Sequence, residues 1–158
     1  MIRISRLTDY ATVILAALAR SPTPQLTAAA LAARTRIAPP TVSKLLKQMH
    51  RAGLVASTRG LRGGYQLARS ADRISAAAIL DALEGPVALT ECALHQGLCD
   101  IENHCRVSRA WQSVSGAIRR SLQDVTLAQL AGLESEPSRL PTLEHEVKII
   151  GARTRSTP

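Results

Sequence analysis

A mostly α-helical fold carrying one small β-hairpin is predicted by three features of the 158-residue sequence. Aromatic residues make up only 2% and Phe is absent while 46% of residues are hydrophobic, so the core must be built from Ala, Leu, Ile and Val, which favours packed helices over a β-sandwich. Val42, Leu45, Leu46 and Met49 fall at i, i+3, i+4 and i+7, one stripe of a helix. The stretch that follows, Leu54 to Leu67, has instead the composition of a hairpin with a glycine-rich tip.

Taken in order, a first helix runs from about Arg6 to Arg20, with Leu7, Ala11, Ile14 and Leu18 on one stripe, and Ser21-Pro22-Thr23-Pro24 breaks it. Thr27 caps a second helix, Ala28 to about Thr35, anchored by Leu31. Ile37-Ala38-Pro39-Pro40 turns into a third helix, Thr41 to His50, because prolines fit only in a first turn. Gly53 ends that helix as a C′ residue. Its apolar stripe leaves Thr41, Ser43, Lys44, Lys47 and Gln48 facing outward. A cationic, hydrogen-bonding face of this kind suits a major groove, where polar side chains read base edges and lysines neutralise phosphates. The hairpin comprises Leu54–Thr58, a tip Arg59-Gly60-Leu61-Arg62-Gly63-Gly64, and Tyr65–Leu67. Its tip needs positive φ and presents Arg59 and Arg62 beside the helix. Helix plus arginine-tipped hairpin reads as a winged helix-turn-helix whose partner is double-stranded DNA.

Beyond the hairpin, Ser75 caps a helix through Leu83 that Gly85-Pro86 stops. Residues 87–106 read as an irregular loop. One long helix is expected from about Arg106 to Leu130, with Val107, Trp111, Val114, Ile118, Leu122 and Val125 on a single stripe. The small N-terminal domain has little surface to cover that stripe, so the same helix of a second subunit is the expected partner, docking on its own domain being the other reading. From Ser135 the chain is rich in Pro, Ser and charge, as a loose tail would be. The resulting organisation is a DNA-binding domain over 1–85, a cysteine-containing loop over 86–106, a dimerisation helix over 107–131 and a flexible tail over 132–158.

Charge agrees with this division. Residues 1–70 carry eleven Lys/Arg against one acid, Asp9, whereas residues 71–158 carry nine against eleven. A basic excess confined to one half is what phosphate neutralisation requires. No signal peptide is legible, and the apolar run Ala11–Ala19 is too short to cross a bilayer, so a cytoplasmic protein without a membrane partner is expected. Structural disulfides are then disfavoured.

Cys92, Cys99 and Cys105 lie in one segment, ECALHQGLCDIENHC, and are the only cysteines. Clustered cytosolic thiols point to a metal, a cluster or a redox switch. Their spacing is not that of a CxxC zinc ribbon. An iron–sulfur cluster usually takes four protein ligands, which leaves a fourth to be found, with His95, His104, Asp100 and Glu102 as local candidates. A zinc- or thiol-redox-responsive repressor remains open on the same residues. No Cys/His/Asp constellation carries a base placed by a recognisable motif, and Gly60-x-x-Gly63-Gly64 is a hairpin tip, not a phosphate loop. Enzyme activity and a small-molecule substrate are therefore not expected.

The segments ISRLTDYATVILAALA, TVSKLLKQMHRAGLV and RGLRGGYQLA, with the three-cysteine loop before a long helix, resemble the Rrf family over about residues 1–130. These are bacterial winged-helix transcriptional regulators, among them iron–sulfur cluster regulators and nitric-oxide-sensing repressors. The resemblance implies a homodimer on a palindromic operator, a [2Fe-2S] or [4Fe-4S] cluster on Cys92, Cys99 and Cys105, and DNA contacts from the Thr41–His50 helix, Arg59 and Arg62. Iron–sulfur cluster regulators place a histidine ligand three residues after the last cysteine, where this chain has Ser108. Nitric-oxide-sensing repressors instead use an aspartate early in the first helix of the other subunit, which corresponds to Asp9 in Leu7-Thr8-Asp9-Tyr10. At about 100° per residue Asp9 lies opposite the apolar stripe. Asp9 is thus the first choice for fourth ligand and His104 the second, while stabilisation of the helix N-terminus is the ordinary role for such an acid. The opening segment is also similar to a subgroup that controls genes for iron–sulfur cluster assembly.

Overall fold

The structure, a computed structural model, describes residues 3–60, 63–94, 105 and 107–133. Helix α1 (Arg6–Ala19) begins where Ser5 Oγ accepts from the Thr8 amide at 3.2 Å. It buries Thr8, Ala11, Ile14, Leu15 and Leu18. Leu7, placed on the stripe by the sequence, is instead 40% exposed, and Thr8 takes the inward position. Thr8 can be buried because its hydroxyl donates to Glu84 Oε1, a carboxylate that also accepts from the Ser5 amide at 2.9 Å. Helix α2 (Ala28–Thr35) is capped by Thr27, whose Oγ1 accepts from Ala30 N at 3.1 Å, and Leu31 is wholly buried. The chain then turns through Arg36 at φ 57°, a left-handed conformation that a non-glycine residue adopts at a cost of about 1 kcal/mol.

Helix α3 (Pro39–Arg51) starts two residues before the expected Thr41, with both prolines in its first turn. Val42, Leu45, Leu46 and Met49 have no solvent exposure. Gly53, at φ 70°, closes the helix: its amide donates to His50 O at 3.1 Å and the Leu54 amide to Met49 O at 2.9 Å. Paired bonds of this kind satisfy carbonyls a helix end otherwise leaves open. Strands β1 (Val55–Thr58) and β2 (Gly64–Leu67) pair antiparallel, Val55 opposite Leu67 and Thr58 opposite Gly64. A third extended residue joins them, since Leu26 and Tyr65 exchange backbone bonds of 3.0 and 2.8 Å. Gly64 permits this approach, because a Cβ there would stand 2.9 Å from Leu26 O. Nothing in the periodicity around Leu26 announces that pairing.

A 3₁₀ turn (Ala71–Arg73) leads into α4 (Ala76–Leu83), capped by Ser75 as expected. Residues 87–106 are not irregular throughout, for Glu91–Leu94 form a short helix, α5. The expected long helix is two: α6 (Ser108–Asp124) and α7 (Leu127–Leu130), separated by extended Val125 and Thr126. The break has a local and a tertiary cause. Thr126 caps α7 reciprocally with Gln129. Val125 O accepts from the Ala76 amide at 2.8 Å and Ile74 O from the Leu127 amide at 2.7 Å, so the chain forms a bridge beside the start of α4. Leu127 is then fully buried in the common core, its helix packed on α1 and the 3₁₀ turn. α6 itself is tied to α4 by a two-pronged ion pair, Arg119 to Asp81 at 3.0 and 2.7 Å, which raises the arginine pKa. No helix among the described residues is long and apolar enough to cross a membrane.

Two outcomes test these contacts. Leu127→Ala should destabilise the chain by about 2–5 kcal/mol in urea unfolding, the cost of a cavity in a closed core; a loss under about 1 kcal/mol would show α7 to be dispensable. The Thr8 hydroxyl, with the Ser5 amide, holds the Glu84 carboxyl below the usual glutamate range. A depressed folded-state pKa stabilises above the ordinary value of about 4.3 and is lost as pH falls through the folded one. The stability difference between the native chain and Glu84→Gln should therefore be larger at pH 7 than at pH 3; equal differences would remove Glu84 from the pH response.

Candidate nucleic-acid interface and cysteine segment

Full burial of the four apolar residues of α3 turns its remaining positions outward. Lys44 and Lys47 are exposed and Thr41, Ser43 and Gln48 half-buried. Arg51 is exposed as well, and Pro40, Lys44, Lys47 and Arg51 follow one another at i, i+4, i+7 and i+11 along a single face. With Ser43 and Gln48 they line an open hollow of about 500 Å³. Arg51 was readable from that spacing, but the expected helix end at His50 hid it. Gln48 is not wholly free for a ligand, since its Nε2 lies 3.4 Å from both Ala82 O and Leu83 O at the end of α4.

The wing follows α3 directly, and β1 packs against that helix. Arg59 is exposed at the end of β1, and Arg62 lies outside the described residues. Two side chains tie down the wing: Gln25, from the connection between α1 and α2, donates its Nε2 to Thr58 Oγ1 at 3.1 Å, and His50 Nδ1 of α3 lies 3.0 Å from Val55 O. Rigid attachment matters because a surface that follows a duplex must keep the spacing between its helix and its wing.

Asp9 is exposed in the first turn of α1, on the side away from Ala11, Ile14 and Leu18, as the helical wheel predicts. Cys105 is a free, half-buried thiol directly before α6, and its carbonyl accepts from the Ser108 amide at 3.4 Å. Cys92 falls in α5. Cys99 and His104 lie outside the described residues, as do His95, Asp100 and Glu102. Among the described residues, no three His, Cys, Asp or Glu side chains converge as a metal site would require. Ser108 is 5% exposed and receives Gln112 Nε2 at 3.3 Å. The loop before α5 is held to α6, the Leu89 amide donating to Ser115 Oγ at 3.1 Å.

Among the described residues, α6 and its cap residue Val107 carry an exposed apolar face. Val107, Trp111 and Val114 are 58%, 46% and 44% exposed. Further along the same stripe, Ile118 and Leu122 line a hollow of about 510 Å³ with Ile4, Leu80, Val87 and Leu89.

Residues 4–132 match the Rrf2 family, described as an iron-dependent transcriptional regulator. The HTH-type transcriptional regulator IscR of Yersinia pestis is 35% identical over 89 residues, 56% of this chain and 54% of its own length. The chain thus aligns with about half the length of the curated relatives it matches. Among solved structures, CymR (YrzC), the global cysteine regulator of B. subtilis, superposes with a TM-score of 0.65 at 27% identity, covering 85% of this chain and 99% of that one. IscR of T. potens superposes with a TM-score of 0.63 at 26% identity, covering 85% and 90%.

Proposed function

Because the chain belongs to the Rrf2 family of iron-dependent transcriptional regulators, we propose that it binds operator DNA through α3 and the wing and adjusts that binding to iron–sulfur cluster status. It is a winged-helix regulator and not an enzyme. The observation that carries the DNA reading is the exposed face of Lys44, Lys47 and Arg51, on a helix whose opposite side is sealed in the core and which leads into a wing with Arg59 exposed. Lysines at helical spacing neutralise phosphates, while Thr41, Ser43 and Gln48 supply hydrogen bonds to base edges. Arg62 would extend the contact from the wing tip.

A homodimer on a palindromic operator completes this reading. The exposed Val107, Trp111 and Val114 face of α6 is apolar surface that a second copy would cover, and it adjoins the cysteine segment. The donor set suits an iron–sulfur cluster by its chemistry: three thiols, Cys92, Cys99 and Cys105, with a carboxylate, Asp9, or the imidazole of His104 as fourth ligand. Asp9 is solvent-exposed on α1, open to a ligand shared with a second chain. Such a group would supply sensitivity to iron, oxygen or nitric oxide. This chain's own part is to connect the cysteine segment to α6 and, through Arg119 and Asp81, to α4, against which the recognition helix rests. Control of iron–sulfur cluster assembly genes from the cytoplasm is the role that fits a protein of this kind. A second reading on the same fold is a thiol- or zinc-responsive repressor, supported by the three clustered cysteines; the likeness to CymR, a global cysteine regulator, makes cysteine supply a candidate signal.

Replacing Lys44 and Lys47 together with Ala should weaken binding to every duplex tested and lower the slope of log affinity against log salt by about 2, one per lost phosphate contact. An unchanged slope would remove α3 from the DNA. Protein purified without oxygen should show visible charge-transfer absorbance with matching iron and sulfide. Asp9→Ala should lose that absorbance while keeping the melting temperature of the colourless form. A native protein that stays colourless after reconstitution yet binds DNA would decide for the thiol or zinc reading.

A further inference from the structure

The leading turn of α3 differs chemically from the rest of the face behind it. Ala38, Pro39 and Pro40 are all exposed. Ala38 is the cap residue and offers no side-chain hydrogen bond, and the prolines at the first two helical positions have no amide hydrogen. The next two amides are both occupied, Thr41 N and Val42 N donating to Ala38 O at 2.9 and 3.1 Å. A helix N-terminus usually presents free N–H groups to a phosphate or a base acceptor. The first two helical positions of this one have none to present, and the next two amides are engaged. Its leading surface is saturated hydrocarbon, and of the two prolines it is Pro40 that lines the hollow shared with Ser43, Lys44 and Lys47.

Resting on the reading that α3 enters the major groove, we propose that Pro40 is a specificity residue that recognises a thymine through its 5-methyl group. The N-terminal residues of a recognition helix are those that reach base edges. A ring that neither donates nor accepts hydrogen bonds gains nothing from the N7, O6, O4 or amino groups of the major groove, and it desolvates them if it approaches. The one feature of that groove it complements is the thymine methyl group. The lysines behind it take phosphates or guanine, so the preference for thymine belongs to the leading turn alone.

The test uses the full-length chain and duplexes selected by it from a random library, with every thymine replaced in turn by uracil, which removes only the methyl group. At one thymine in each half-site, uracil should weaken binding about fourfold, the equivalent of ~0.8 kcal/mol for one buried methyl group at 1.4 kcal/mol per tenfold. Pro40→Ser and Pro40→Ala, checked for native melting, should bind the thymine duplex about as weakly as the native chain binds the uracil one, and should no longer distinguish the two. No methyl-sensitive thymine for the native chain, or a uracil penalty that persists in both variants, overturns the proposal. Failure of the underlying reading looks different: replacing Lys44 and Lys47 with Ala would then leave affinity for thymine and uracil duplexes alike untouched.

Discussion

Val42, Leu45, Leu46 and Met49 touch no solvent, and that seals one side of α3 against α1, α2 and the start of the wing. A fully buried aliphatic or methionine side chain contributes roughly 1.5–3 kcal/mol, so rotating the helix about its axis would forfeit a large fraction of a small domain's stability. Orientation of the cationic face follows from this. Lys44, Lys47 and Arg51 are displayed in one direction because the opposite direction is closed, and no contact of their own is needed to aim them. The Gly53 cap and the His50 contact to Val55 then start the wing immediately, at a defined distance from that face.

The end of α4 is where the other elements meet. Gln48 of α3 reaches the carbonyls of Ala82 and Leu83, Glu84 holds the start of α1 through Ser5 and Thr8, and Arg119 of α6 grips Asp81 one turn earlier. The chain then leaves through Gly85 and Pro86 toward the cysteine segment. Asp81, Ala82 and Leu83 of α4 and its cap residue Glu84 thereby connect the cationic helix α3, the helix bearing Asp9 and the helix bearing the exposed apolar face. A shift of the cysteine segment has a short physical route to α3, made of polar contacts that can be remade at modest cost.

α7 shows how a pattern can be read correctly and still mislead. The spacing of Val107, Trp111, Val114, Ile118 and Leu122 continues through Val125, and periodicity alone carries the helix on to Leu130. In the structure Thr126 and Gln129 cap each other and start a new helix there. A tertiary contribution adds to it: with the chain extended at Val125, α7 packs on α1 and the 3₁₀ turn and Leu127 is wholly buried. Leu7 and Thr8 are a second case. Hydrophobicity favoured Leu7 inward, yet Glu84, seventy-six residues away from Thr8, satisfies the threonine hydroxyl and lets it take the buried place.

Local rules were sufficient for most of the elements. Caps at Thr27 and Ser75, prolines at the head of α3, glycine behind it and a glycine-rich hairpin tip act over a few residues, and periodicity acts over a few turns, so each is written in the adjacent sequence. The winged helix, the cationic face and the position of Asp9 on α1 followed from them. Tertiary structure alone decided the Leu26–Tyr65 pairing, the bridge of Ser75 with Thr126, the junction at the end of α4, and the rotation of α1 that exposes Leu7. Each of these joins residues distant in the chain through backbone groups or single polar atoms. Such contacts leave no period and no composition to read, because which partner is near is settled only once the helices have packed.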